Sequence, residues 1–387
     1  MTFVNPLPKN KKIAVIDFAS SSVGAMVIEQ NKDGQARIIG SAREPFNFLY
    51  DVNFDAFWRC AAGALEKSLK NIGGIISGRP EKILCVFSSP WFVSRSKVIN
   101  ISKSEPFEIK PEFFRQIIAE EEGKMKNARG FFLEHEIIKT ELNGYSADSP
   151  FGKKAKTVRL GVYLSSAAES VRKNIEKRII SAFGPAPVEY ATFPLLAMKV
   201  FNGIIKNRED YLVADIGGEV TDVFLIKDKS LAATVSFPKG YNALLRKVAS
   251  SSNSFVKEAP SLLKSYVAGH RTAESSGNIA LAIRESKEEW RSFFGEAVGK
   301  IAESGPLPGL VMIIGGGMAK KYFEECVAAR EFSDFTVLGK PMTPREILPE
   351  WLEHFFIIGS SGQSGETVHH YKDAALLLES YYANKKL

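Results

Sequence analysis

The sequence predicts an α/β protein built from two duplicated β-β-β-α half-domains with an α+β segment inserted between them. Three observations predict it. One order of elements occurs twice, around residues 13–71 and 211–249; a further strand, Gly309–Gly317, ends in three glycines; and a strand-and-helix stretch of different pattern separates the two copies. At 387 residues the chain is long for a single core, which fits more than one domain.

In the first copy Ile13–Asp17 reads as a short buried strand and Val23–Gln30 as a second. Asn31–Gly34 is an Asp-Gly hairpin turn and Gln35–Glu44 a third strand. Phe54, Phe57, Trp58, Ala61, Leu65 and Leu69 then recur at helical spacing through Asn53–Asn71. The second copy repeats this order: strand Tyr211–Asp215, a small-residue bend, strand Val220–Lys227, turn Asp228–Ser230, strand Leu231–Phe237, and a helix starting at Asn242. Neither copy is large enough to close a core alone.

Gly309–Gly317 (GLVMIIGGG) is followed by a helical pattern over Met318–Arg330. The segment between the copies, 81–183, reads as an α+β domain with strands Lys82–Ser88, Arg95–Ile101, Glu136–Glu141 and Thr157–Ser165. Its helices are Lys110–Glu122 and Ala167–Ala182. The expected domains are thus 1–80, 81–183 and 184–387.

Composition narrows the function classes. Hydrophobic residues at 45% and charged residues at 25% are ordinary for a globular protein with a sizeable core. Three scattered cysteines, Cys60, Cys85 and Cys326, have neither disulfide-framework nor C-x-x-C spacing, which fits a reducing cytoplasm. No Lys/Arg run resembles a nucleic-acid arm, and no apolar tract is long and unbroken enough to span a membrane. His369-His370 lacks metal-ligand spacing and reads as two solvated histidines.

An aspartate at the end of a strand is held rigidly and aimed into a crevice, and small residues after it let backbone N–H groups approach an anion. Asp17 is followed by Ser20, Ser21 and Ser22, and Asp215 by Gly217, Gly218 and Thr221. Two such hairpins facing one another would clamp a triphosphate, with Asp17 and Asp215 holding Mg²⁺ through water, since that ion keeps most of its hydration shell. Gly315, Gly316 and Gly317, opening a helix, suit the ribose and α-phosphate edge of a nucleotide.

These three motifs, D-F-A-S-S-S-V, D-I-G-G-E-V-T-D and I-I-G-G-G, resemble the phosphate-1, phosphate-2 and adenosine motifs of the actin/Hsp70/sugar-kinase ATPase superfamily. The position of the insert resembles the bacterial FtsA/PilM group, in which a small SHS2-type "1C" subdomain takes this place. ELNGYSADSPFGK is similar to that group's insert, and KDAALLL to its final return helix to the first half-domain.

The resemblance implies ATP and Mg²⁺ as cofactors and Asp17 and Asp215 as the catalytic carboxylates. It further implies a cytoplasmic scaffold recruited to the inner face of the cell membrane, leaning to the PilM type of pilus or type II secretion assembly. The partner would be the cytoplasmic tail of a membrane protein or a cytoskeletal filament protein, with self-assembly into filaments a further option. No nucleic acid is implied, and membrane association would be indirect, because ESYYANKKL after the return helix is too short for an amphipathic anchor. The alternatives are a division protein of the FtsA type, a metabolic kinase of the superfamily, and a scaffold that has lost nucleotide binding.

Two departures bear on turnover, which the sequence leaves between slow and absent. Ala19 stands where the family usually has glycine, and Glu219 follows Gly218, where a carboxylate facing phosphates would repel them. Charge is also uneven: segment 81–183 holds 18 Lys and Arg against 13 Asp and Glu, so +5 of the chain's net +7 lies there. A solvated lysine-rich face and a docking face for an acidic peptide both account for it.

Overall fold

The computed structural model describes residues 11–31, 34–47, 49, 53–76, 78–125, 130–205, 210–267, 273–358 and 372–387. Along the chain come β1 (Lys11–Phe18), β2 (Ser22–Gln30), β3 (Ala36–Pro45), α1 (Phe54–Ile75) and β4 (Lys82–Phe87). Next are β5 (Phe92–Glu108), α2 (Pro111–Lys124), β6 (Gly130–Leu142), β7 (Tyr145–Ser146), β8 (Lys154–Ala168) and α3 (Glu169–Phe183). Then follow β9 (Val188–Thr192), α4 (Phe193–Ile204), β10 (Tyr211–Ile216), β11 (Thr221–Lys227), β12 (Ser230–Phe237), α5 (Tyr241–Ser251), α6 (Ala259–Val267) and α7 (Ala273–Ala302). The chain ends with β13 (Leu310–Gly315), α8 (Lys320–Val327), β14 (Thr343–Glu346), α9 (Glu350–Glu353), β15 (Phe356–Ile358) and α10 (Ala374–Lys386).

The chain divides into two compact units, one of residues 1–88, 173–200 and 347–387, the other of residues 89–172 and 201–346. The first is built on a six-stranded sheet in the order β15-β3-β2-β1-β4-β9. The second holds a five-stranded sheet in the order β12-β11-β10-β13-β14 and a four-stranded sheet, β5-β8-β6-β7.

The duplication is larger than the β-β-β-α unit read from the sequence. In each large sheet a strand ending in aspartate pairs antiparallel with the next strand, which pairs antiparallel with a third, while two parallel strands extend the other side. Even the irregularities repeat: the β2–β3 ladder shifts register after Val27 and the β11–β12 ladder after Leu225, each ten residues beyond the strand-end aspartate. Strand β4, read above as the insert's first strand, is therefore the counterpart of β13. Its burial shows why. Ile83, Leu84, Cys85, Val86 and Phe87 are all buried, as a parallel strand covered on both faces requires, whereas the insert's first strand, β5, alternates along most of its length.

The insert has its own core. Helix α2 brings Phe114 and Ile117 onto the inner face of the small sheet, where they meet Val158, Leu160, Val162 and Leu164 of β8. Pro111 at the first helical position explains the sharp start of α2. Strand β12 packs against β5, β6 and β8, which places the insert with the second large sheet in one unit.

In the first unit α10 packs on β1 and β2, with Asp373 as its N-cap accepting the Leu376 N–H at 3.1 Å. The residues read as a short tail belong to this helix, and Tyr382 and Ala383 are buried. Among the described residues no helix is long and apolar enough to cross a membrane. His369 and His370 lie outside the described residues.

Candidate functional site

Cross-strand register builds the site in each unit. In an antiparallel ladder, directly opposed residues share one face of the sheet. In the first unit the row is Asp17–Gly24–Arg43, across β1, β2 and β3. In the second the corresponding row is Asp215–Asp222–Ser236, across β10, β11 and β12.

The two rows have different chemistry. A Cβ at Gly24 would stand 2.9 Å from Arg43 Nη2 and 3.0 Å from its Cζ, so glycine in the middle lets the arginine of β3 reach over β2 to β1. Arg43 Nη2 donates to Asp17 Oδ2 at 2.6 Å and Nη1 to Ser22 Oγ at 2.8 Å, while Nε pairs with Asp373. Burial pushes the Asp17 carboxyl above the ordinary aspartate range, with Arg43 pulling it back and Asp373 adding to the rise.

In the second row Asp222 is buried and accepts hydrogen bonds from Ser89 Oγ at 2.7 Å, from Ser236 Oγ, and from the Ser89 N–H at 3.4 Å. Burial raises its pKa and those hydrogen bonds oppose the rise. Asp215 is half-buried beside it on the same face.

The bends after the two aspartates close alike. Ala19 N–H donates to Ser22 O at 3.2 Å, and Gly217 N–H to Val220 O at 3.0 Å. Ala19 is thus the counterpart of Gly217, and it is not among the described non-glycine residues with positive φ. The alanine therefore adopts no left-handed conformation at this bend. Ser20 is buried and Ser21 O accepts the Phe46 N–H at 2.7 Å.

Helix α5 fixes the second bend. Tyr241 and Asn242, its first two residues, donate N–H groups to Gly217 O at 2.9 Å and Gly218 O at 2.8 Å. A trans peptide places the next N–H opposite the carbonyl, so the N–H groups of Gly218 and Glu219 point away from α5. Successive amides turned the same way form an anion-binding concavity. Thr221 Oγ1 is buried and donates to Lys239 O at 2.6 Å, which directs its proton to the backbone.

Glu219, whose carboxylate threatened that concavity, is turned onto α5: its Oε1 accepts from Asn242 Nδ2 at 2.8 Å and Arg246 Nη2 at 2.6 Å. The glycine turn lies on the neighbouring strand. Gly315, Gly316 and Gly317 all have positive φ, and Gly316 N–H donates to Ile216 O at 2.9 Å. The bend after β10 and the turn after β13 are therefore side by side at the C-terminal ends of parallel strands, where open α/β sheets bind ligands.

The donor sets can be tested against ATP and Mg²⁺. Within the second unit the amide concavity, the Asp215 carboxylate and the glycine turn fit a nucleotide with its cation. In the first unit Asp17 does not fit Mg²⁺, because a guanidinium already holds its oxygen.

Sequence reasoning found the two aspartates and the glycines. It missed Arg43 and Gly240, which belong to no motif, and read Asp373 only as part of the helix stretch KDAALLL. The repeat offset offered a signal: Gly24 occupies the place of Asp222, which marks a position where the copies differ.

No family model matches the sequence, and no curated protein matches it. The chain has the actin-like ATPase fold. Within it, the likeness is to a chain of a structure described as a PilM–PilN type IV pilus biogenesis complex, at 14% identity and a TM-score of 0.65, covering 96% of this chain and 98% of that one. Weaker likenesses are to an ethanolamine utilization protein EutJ from Carboxydothermus hydrogenoformans, at 15% identity, TM-score 0.45 and coverage of 88% and 86%. MreB 5 of Spiroplasma citri matches at 13% identity, TM-score 0.43 and coverage of 88% and 92%. At 14% identity the first of these likenesses speaks for the fold alone, and the two weaker ones carry no argument.

Proposed function

We propose that this chain is a nucleotide-binding scaffold of the actin-like fold that recruits a membrane protein to an envelope machine of the type IV pilus or type II secretion kind. The observation that carries the nucleotide reading is the pairing of the Gly217–Gly218 bend with the Gly315–Gly317 turn on adjacent strands. On this reading Gly217 and Gly218 receive phosphates, Asp215 holds a hydrated Mg²⁺ ion, and Gly315–Gly317 receive the ribose edge. Within the first unit, Ser20, Ser21 and Ser22 form that unit's own phosphate-receiving bend. Thr221 shapes the bend through Lys239.

The pilus reading is supported by the whole-length likeness to the PilM–PilN structure and by an insert with a core of its own. The partner is the cytoplasmic tail of a membrane protein, and through it the chain reaches the inner face of the membrane. Turnover is slow or absent on this reading, since Asp17 is tied to Arg43.

Isothermal titration tests it: ATP should bind, and Asp215→Ala should weaken binding at least about tenfold, or ~1.4 kcal/mol. Absence of heat with any nucleotide would leave a scaffold that no longer binds one.

A further inference from the structure

The carboxylate of Asp17 already has a cation. Arg43 joins it to Ser22 and to Asp373 at the head of α10, so one guanidinium serves two carboxylates from separate elements. Burial alone would lower the pKa of Arg43, but Asp373 and Asp17 more than reverse this, and the arginine stays charged. The Asp17 side chain is only 3% exposed and that of Arg43 26%, so water screens the pair weakly. A divalent cation beside Asp17 would meet this fixed positive charge, and Mg²⁺ tolerates little deviation from its octahedral shell.

The second unit provides the contrast. Its matching row, Asp215–Asp222–Ser236, contains no basic residue, and its middle residue carries a carboxylate where the first has the bare glycine that lets an arginine through. We propose that the Arg43 guanidinium takes the place beside Asp17 that a divalent ion would fill, so that the Asp17–Ser22 hairpin receives a polyphosphate without metal. Among the described residues three of the five guanidinium N–H groups have partners, and the remaining two belong to the fork that suits phosphate oxygens. The ligand class, a nucleoside polyphosphate, rests on the nucleotide reading above; the substitution of guanidinium for metal does not.

Titration with ATP of the chain carrying Asp215→Ala, which removes the second unit's metal ligand, in Mg²⁺ and again in EDTA tests the first part. The expected Kd in EDTA lies within about twofold of that in Mg²⁺, a difference under ~0.4 kcal/mol. A weakening of about tenfold or more in EDTA overturns the proposal. The second part needs no nucleotide. Arg43→Ala leaves oxygens of Asp17, Asp373 and Ser22 around a vacated cation position. Electron paramagnetic resonance should then detect Mn²⁺ bound by the variant that the natural chain does not bind, and Asp17→Asn added to it should abolish that binding.

Equal Mn²⁺ uptake by the natural chain and the Arg43→Ala variant overturns the proposal. Where the alanine variant does not fold, Arg43→Gln keeps an amide to bridge Ser22 and Asp373 while removing the charge. A natural chain that binds ATP in neither buffer takes down the nucleotide reading, and the manganese comparison then decides the guanidinium's role alone.

Discussion

Arg246 Nη2 lies 2.6 Å from Glu219 Oε1 and, with Asn242 one helical turn before it on α5, holds that carboxylate against the helix. A carboxylate after a glycine pair is compatible with an anion site because two side chains at i and i+4 on one helix face take it up. Removing the arginine leaves a half-buried carboxylate with a weaker hold, since the Glu219 side chain is 16% exposed. Arg246→Ala should therefore cost about 1–2 kcal/mol in urea unfolding. It should also weaken ATP binding several-fold, and Glu219→Ala added to it should recover the affinity. A double variant no tighter than the single one would show that Glu219 does not threaten the concavity.

Gly240 precedes α5, and a Cβ there would lie 2.3 Å from Gly217 O and 2.5 Å from Gly218 O. Both atoms are backbone, so neither can swing aside. Gly240→Ala should force the bend off the α5 amides and destabilise the chain by about 1–3 kcal/mol, with loss of ATP binding. Gly309→Ala, where nothing lies within 4 Å of the added carbon, is the control. Equal melting temperatures for the two variants would contradict this reading of the bend.

Asp222 gives the second row its pH dependence. Burial holds its folded-state pKa above the ordinary value of about 3.9. The folded chain therefore holds this proton where the unfolded chain has released it. Its contribution to stability is fully present below that value and is lost as pH rises through the folded pKa. Asp222→Asn keeps an acceptor for the Ser89 and Ser236 hydroxyls without the buried charge. Relative to the natural chain, the variant should gain stability as pH rises from 4, levelling off above the folded pKa. Parallel urea curves at pH 4, 5, 6, 7 and 8 check this, and a stability difference independent of pH would sink it.

Hydrophobic period and turn chemistry made the first three strands of each copy legible to within a few residues. At Asp228 and Lys229, for instance, both φ angles are positive, as a two-residue hairpin turn requires. Strand β4 was legible as a strand but not as to its sheet, because a short apolar run does not say which neighbours bury it. Helix α7 had a readable stripe, with Ile279, Ala282, Trp290, Phe294, Ala297 and Ile301 buried, but the buried Ser286 breaks its apolar continuity. At the site, strand-end aspartates and glycines carry local signatures. Arg43 does not, since its role depends on register across three strands and on a helix that begins 330 residues later.

The positive face of the insert yields the last prediction. Lys153, Lys154 and Lys156 are exposed where the chain enters β8, and exposed charges steer a partner more than they hold it, because salt screens them beyond about 8–10 Å. Reversing all three to glutamate should slow association with an acidic tail peptide about tenfold at low salt, leave its dissociation rate nearly unchanged, and flatten the salt dependence of association. The fold should tolerate the change, because all three lysine side chains are exposed and none belongs to the insert's core, to which Ala155 and Val158 contribute. Deletion is a sharper test only if it spares β4. Removing 81–183 would take an almost wholly buried strand out of the first unit's sheet, whereas removing 90–172 takes out the insert with its own core and keeps Ser89, the partner of Asp222. Surface plasmon resonance at 50 and 300 mM salt separates the outcomes. An association rate that the reversal leaves unchanged at low salt would move the docking surface away from the insert.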